Sequence, residues 1–279
     1  MKLHISRLLF LAGLALCAAC SPHYDVYLLI GQSNMAGRGV FEPADTLAPL
    51  EGVYLLDNQG AVVPAKEPLN RYSTIRKAMH VQGMSLAHSF AEQAHARTGR
   101  RVLLVMNARG GTSLGQWLPN APQGRFSSSV NEEADWRGQP MPSFYDEAVR
   151  RTRQALEYGE LKAILWHQGE SDSDSVRVAS YLPKLAGFVA SLRSDLGVGE
   201  EIPFIAGQIQ PRHENAGLFN PVIARIGEVV PNSFCVSSEG LATLPDNLHF
   251  TREAQLELGR RYAAVLFGTR EDSTQSASK

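Results

Sequence analysis

The sequence predicts an α/β protein: a three-layer αβα sandwich in which helices cover both faces of a central parallel sheet. From residue 24 onward, short and nearly continuous apolar runs alternate with amphipathic segments. Runs of that kind suit strands buried on both faces, and regular alternation with helices suits right-handed parallel crossovers. The composition agrees, since 44% of the 279 residues are hydrophobic and 20% are charged, which is ample material for a large core. No internal repeat or linker divides the chain, so residues 24–268 read as one domain.

Residues 1–20 read as a targeting segment outside the fold. Lys2 and Arg7 precede Leu8–Ala19, an apolar run of twelve residues, which is signal-peptide length and too short to span a bilayer. The run ends in Cys17-Ala18-Ala19-Cys20, which resembles a bacterial lipoprotein signal with Cys20 as the lipidated residue. The alternative is ordinary cleavage after Ala19. Either way an exported chain is expected, periplasmic or held at a membrane through Cys20.

The elements then follow in order. Tyr24–Ile30 reads as the first strand, and residues 53–64 as a small hairpin turning at Asp57-Asn58-Gln59-Gly60. A helix is expected over 84–97 and a strand over Val102–Met106. Residues 110–142 show no periodicity, and a loop of that length is usually functional or disordered. Helices at 144–158, 176–195, 219–229 and 251–267 alternate with strands at Leu161–Trp166, Ile202–Ile209 and Ser233–Ser237. Residues 269–279 form a polar tail that reads as disordered.

Charge and cysteine content exclude several classes. With 27 basic against 28 acidic side chains the net charge is -1, so no field draws in nucleic acid, and only the anchor at Cys20 would bring a membrane. Three cysteines cannot make a disulfide framework and suggest no zinc site, so neither metal nor other cofactor is expected. Cys235, between Phe234 and Val236, reads as a buried core thiol.

Four polar segments carry the chemistry. The first strand runs into Gly31-Gln32-Ser33-Asn34-Met35-Ala36-Gly37, which places a serine where open α/β sheets bind ligands. It is not an α/β-hydrolase elbow, because Met35 stands where the second glycine would be. Asn107-Ala108-Arg109-Gly110-Gly111-Thr112 follows the second strand, and Trp166-His167-Gln168-Gly169-Glu170-Ser171-Asp172 follows the third. Asp246-Asn247-Leu248-His249 precedes the last helix. A serine nucleophile needs a base and the base needs an orienting carboxylate, and one tight loop can supply both.

On these residues the sequence resembles the SGNH hydrolases, in the sialate O-acetylesterase-like and acetylxylan-esterase-like branch (carbohydrate esterase family six). GQSNMAG at 31–37, RGGTS at 109–113, WHQGESD at 166–172 and DNLH at 246–249 carry the resemblance over the whole exported domain. It implies a flavodoxin-like fold and a serine esterase that removes acetyl groups from carbohydrates such as sialic acid or xylan-type glycans. It implies Ser33 as nucleophile, His249 as base and Asp246 as the carboxylate that orients it. The implied oxyanion donors are the Ser33 N–H, a glycine N–H at Gly110 or Gly111, and the Gln168 side chain.

Several residues keep two readings. Glu170 either holds Gln168 or a loop, or caps a helix. Arg109 binds a substrate carboxylate or braces the loop, and Trp117 and Trp136 stack on sugar rings or pin the long loop. His167 reads as packing, and Asp172 and Asp174 as solvated. The rival classes are a metal-dependent hydrolase built on His167, Glu170, Asp246 and His249, which lacks the usual ligand spacing, and an inactive sugar-binding relative. A carboxylate on His249 would by itself raise the imidazole pKa.

Overall fold

β1 (Tyr24–Gly31) is buried at every residue and forms the middle of the sheet. Its alternating side chains serve two cores. Val26, Leu28 and Ile30 join one cluster with Phe144 and Phe188, while Tyr27 and Leu29 join the other with Phe90 and Tyr262. Each such side chain contributes roughly 1.5–3 kcal/mol on burial, which is why Val26–Ile30 carries no charged residue. The computed structural model describes residues 23–268; the expected signal segment 1–20, with Cys17 and Cys20, and the tail 269–279 lie outside the described residues.

The sheet has seven strands in the order β3-β2-β4-β1-β5-β6-β7. β2 (Val53–Leu56) and β3 (Val62–Pro64) form the expected hairpin. β2 also pairs in parallel with β4 (Val102–Ala108), so the hairpin extends the main sheet and does not stand apart. β5 (Gly159–His167), β6 (Phe204–Gly207) and β7 (Ser233–Val236) complete it in parallel on the other side of β1. Pro203 has no N–H for the ladder, which delays β6 to Phe204.

Among the helices, α1 (Ser33–Ala36) is a single turn after β1. α2 (Ala87–Thr98) and α7 (Arg252–Phe267) cover one face of the sheet. α3 (Phe144–Leu156) covers the other. The helix expected over 176–195 is broken into α4 (Ser175–Val178) and α5 (Tyr181–Leu196). Pro183 explains the break: it lacks an N–H and its ring would meet the carbonyl of Ala179, so it is accepted only in a helix's first turn. α6 (Ala216–Ile223) begins three residues before the expected 219 and yields to a 3-10 turn at Ile226–Glu228. No helix among the described residues is long and apolar enough to cross a membrane.

β4 and β5 flank β1 on opposite sides, so the crevice beyond the carboxyl end of β1 is the switch point where doubly wound sheets bind ligands.

Candidate active site

Gly31 ends β1 with φ +140°, and a Cβ there would stand 2.2 Å from the His167 carbonyl oxygen. Only glycine lets β1 close on β5 in this way. Ser33 follows at 5% exposure and lines a cavity of about 920 Å³, together with Gln32, Arg38, Gly110, Glu170 and His249. Gly111 lines it too. A Cβ on Gly110 would sit 3.2 Å from Ser33 Cβ, whereas one on Gly111 would meet nothing within 4 Å. Gly110 is thus the glycine packed against the serine.

The loop before α7 brings His249 to the same cavity from the far end of the chain. His249 Nδ1 lies 2.6 Å from Asp246 Oδ2, and Asp246 Oδ1 accepts from the N–H groups of Leu248 and His249 at 2.9 and 3.0 Å. An ionised carboxylate only accepts, so the ring proton belongs on Nδ1 and Nε2 keeps its lone pair. Burial works against the Asp246 carboxylate, but those two N–H groups and the imidazole hold it below its usual pKa. The His249 pKa falls, against the upward shift expected from Asp246 alone. Burial of the ring is the larger effect and outweighs the carboxylate, and the charge of Arg38 adds to it.

Asn34 ties the loop to α1. Its Nδ2 donates to the Leu248 carbonyl at 3.1 Å and its Oδ1 accepts from the Phe250 N–H at 3.2 Å, so both neighbours of His249 are gripped. The same Nδ2 donates to Glu170 Oε1 at 2.6 Å. Glu170 is therefore neither a helix cap nor a partner of Gln168. Burial lifts its carboxyl to about 7, and its Oε2 is buried without a hydrogen-bond partner.

Gln168 lies beneath the cavity, not in its wall. It is fully buried, and its Nε2 faces Asp172 Oδ2 at 2.7 Å, Thr112 O at 3.0 Å and Gln32 Oε1 at 3.1 Å. Its two N–H bonds are spent on these acceptors, and its Oε1 accepts from the Tyr181 hydroxyl at 2.8 Å. That geometry removes it as an oxyanion donor. Gln32 stands in the wall instead: its Oε1 takes the Gln168 amide and the Ser171 N–H, which turns Nε2 the other way with no protein partner among the described residues.

Further expectations resolve here. Asp172 is buried, not solvated, because it also accepts from the Leu114 N–H at 2.7 Å. Asp174 caps α4. Arg109 braces the loop: it grips Glu132 at 2.7 and 3.1 Å, stacks over Phe126, and shares Glu132 with Lys77. Trp117 is core, edge-on to Trp166, and Trp136 is packed between Arg76 and Phe126, so both tryptophans pin the chain. His167 is packing: fully buried, 3.1 Å from the Tyr262 hydroxyl, with its pKa pushed to about 3 by burial. No group of three or more His, Cys, Asp or Glu among the described residues could hold a metal ion. Burial pushes the Cys235 thiol up to about 12, far from a thiolate nucleophile at neutral pH.

A serine and a histidine thus line one cavity at the switch point of an α/β sheet, and the class they belong to is that of the carbohydrate esterases. The sequence pattern of the carbohydrate esterase, sialic acid-specific acetylesterase family matches residues 23–267, and the chain belongs to that family. It is 31% identical over 255 residues to a probable carbohydrate esterase of Arabidopsis thaliana, covering 85% of this chain and 88% of that one. The crystal structure of the Arabidopsis protein superposes with a TM-score of 0.73 at 28% identity, covering 89% of this chain and 99% of that one. NanS shares the fold at a TM-score of 0.64 and 17% identity, covering 88% of this chain and 97% of its own. A carbohydrate acetylesterase from Xanthomonas citri does so at 0.61 and 17%, covering 88% of this chain and 57% of that one.

Proposed function

We propose that the protein is an exported serine esterase that removes O-acetyl groups from carbohydrates, sialic acid or xylan-type glycans, through an acetyl-serine intermediate. The observation that carries this reading is the meeting of Ser33 and His249 in one cavity, with His249 Nδ1 held 2.6 Å from Asp246. His249 Nε2 takes the Ser33 proton as Oγ attacks the acetyl carbonyl. The tetrahedral oxyanion is met by the N–H groups of Ser33 and Gly110 and by Gln32 Nε2. His249 then protonates the leaving sugar oxygen, and water repeats the sequence in reverse to free acetate. Export rests on the character of residues 1–20.

The direct test is acetate release from a panel of acetylated glycans, with stoichiometric labelling by an organophosphorus reagent mapped to Ser33. Label on another residue, or a protein that binds acetylated sugar without releasing acetate, would overturn the assignment.

The pH profile follows from the shifts above. A neutral His249 is the active form, and its pKa lies below the ordinary 6.5, so kcat/KM should rise with pH through a midpoint below 6.5. A single limb near 7 that disappears in Glu170→Gln would assign the titration to Glu170 and count against His249 as base.

A further inference from the structure

Val40, Phe41, Val81 and Leu248 bring apolar surface to the wall of the catalytic cavity. Among the described residues, none of the four packs into either of the two apolar cores. Val40 is 70% exposed, and Phe41, Val81 and Leu248 are half-buried. Phe41 is the one phenyl or indole ring that lines the cavity, and it joins no aromatic pair among the described residues. Apolar side chains left out of the core and gathered in a cavity among polar groups mark a binding surface.

The segment that carries Phe41 is fixed on both sides. Before it, Gly39 pairs with Met84: its N–H donates to the Met84 carbonyl at 3.1 Å, and its carbonyl accepts from the Met84 N–H at 2.8 Å. After it, the 3-10 turn at Pro43–Thr46 opens with a reciprocal cap, in which the Glu42 N–H donates to Asp45 Oδ2 at 2.8 Å. Arg252 grips Asp45 in turn, donating from Nε and Nη2 at 2.7 and 2.5 Å. Arg252 opens α7 just after His249, so one junction holds both the imidazole loop and the segment bearing the ring. A ring set in place beforehand loses little freedom when a ligand arrives.

The size of the apolar ledge indicates what it receives. An acetyl group offers a single methyl beyond its carbonyl, which cannot cover four apolar side chains. The cavity of about 920 Å³ is likewise far larger than that group needs. A pyranose has polar hydroxyls on its edge and C–H groups on its faces, a mixture that suits an apolar ledge beside Gln32, Lys77 and Glu170.

We propose that Phe41 is the platform for the pyranose ring of the acyl acceptor, its phenyl face meeting the ring's C–H face, so that it selects ring-bearing alcohols over small acyclic ones. The proposal rests on the esterase reading above. Phe41 is then a specificity residue that takes no part in the proton transfers of Ser33 and His249.

The experiment compares kcat/KM on an O-acetylated methyl xylopyranoside and an O-acetylated sialic acid with that on ethyl acetate, and adds ethyl butyrate to read the acyl side. In Phe41→Ala the ratio of sugar ester to ethyl acetate should fall by ~10-fold for at least one sugar, mainly through KM, as one aromatic contact and its buried area are lost. Phe41→Tyr keeps the ring and should hold that ratio near the value of the intact enzyme. An unchanged ratio for both sugars in Phe41→Ala overturns the proposal and leaves the esterase reading standing. A fall in the butyrate-to-acetate ratio in its place also overturns it, since the ring would then line an acyl site. If ethyl acetate is cleaved and neither sugar ester is, the carbohydrate reading fails and this one with it; if no ester is cleaved, the esterase reading itself fails. Should Phe41→Ala fail to fold, Phe41→Leu, which keeps apolar volume and removes the ring, makes the same comparison with the same expected fall.

Discussion

Replacing Ser33 with alanine is expected to leave a folded protein whose kcat on acetyl esters has fallen by at least ~10³-fold. The fold should survive because Ser33 Oγ makes no hydrogen bond among the described residues and faces the cavity, so its removal leaves no buried partner unsatisfied. The chemistry should not survive, because the acetyl group then has no Ser33 Oγ to pass to. Steady-state kinetics with a circular dichroism melt checks both halves. A folded Ser33→Ala variant with near wild-type turnover would mean that the acetyl group never passes to this serine.

The second large effect separates two glutamines. Gln32→Ala should lower kcat by ~10²–10³-fold with KM nearly unchanged, since a donor aimed at the oxyanion acts mainly in the transition state. Gln168→Ala should behave differently. It takes one partner each from Asp172 Oδ2, Gln32 Oε1 and the Tyr181 hydroxyl and leaves the buried Thr112 carbonyl without its donor, and an unsatisfied buried group costs about 1–3 kcal/mol. Its main effect should be a lower melting temperature. If Gln168→Ala keeps its melting temperature and loses kcat while Gln32→Ala is silent, then Gln168 is the donor and the amide must turn on binding.

The contrast shows where sequence reading stops. GQSNMAG marks Gln32, Ser33 and Asn34 together as polar residues after a strand, but order alone does not say which side chain faces the cavity. Gln168 and Gln32 are chemically identical amides, and only the acceptors around Gln168 consume its donors. Asn34 went unmarked because its partners, Leu248 and Phe250, lie more than two hundred positions away. Arg109 kept two readings until Glu132, in the aperiodic loop, proved to be its partner. The His249 pKa falls where the carboxylate three residues away, visible in sequence, would raise it, because burial by distant segments is not visible there.

What the sequence determined by itself is what local pattern encodes: apolar runs of strand length, amphipathic helices between them, and polar Gly-containing segments at the strand ends. Those features depend on neighbours a few residues apart, so the αβα class and the nearness of Ser33 to a strand's carboxyl end were readable. Even the broken helix at Ala179 and Ser180 has its cause in sequence, at Pro183. The tertiary structure alone decided which residues share a cavity and which polar atoms are already spent. Hydrogen-bond satisfaction and desolvation are properties of the whole packed environment.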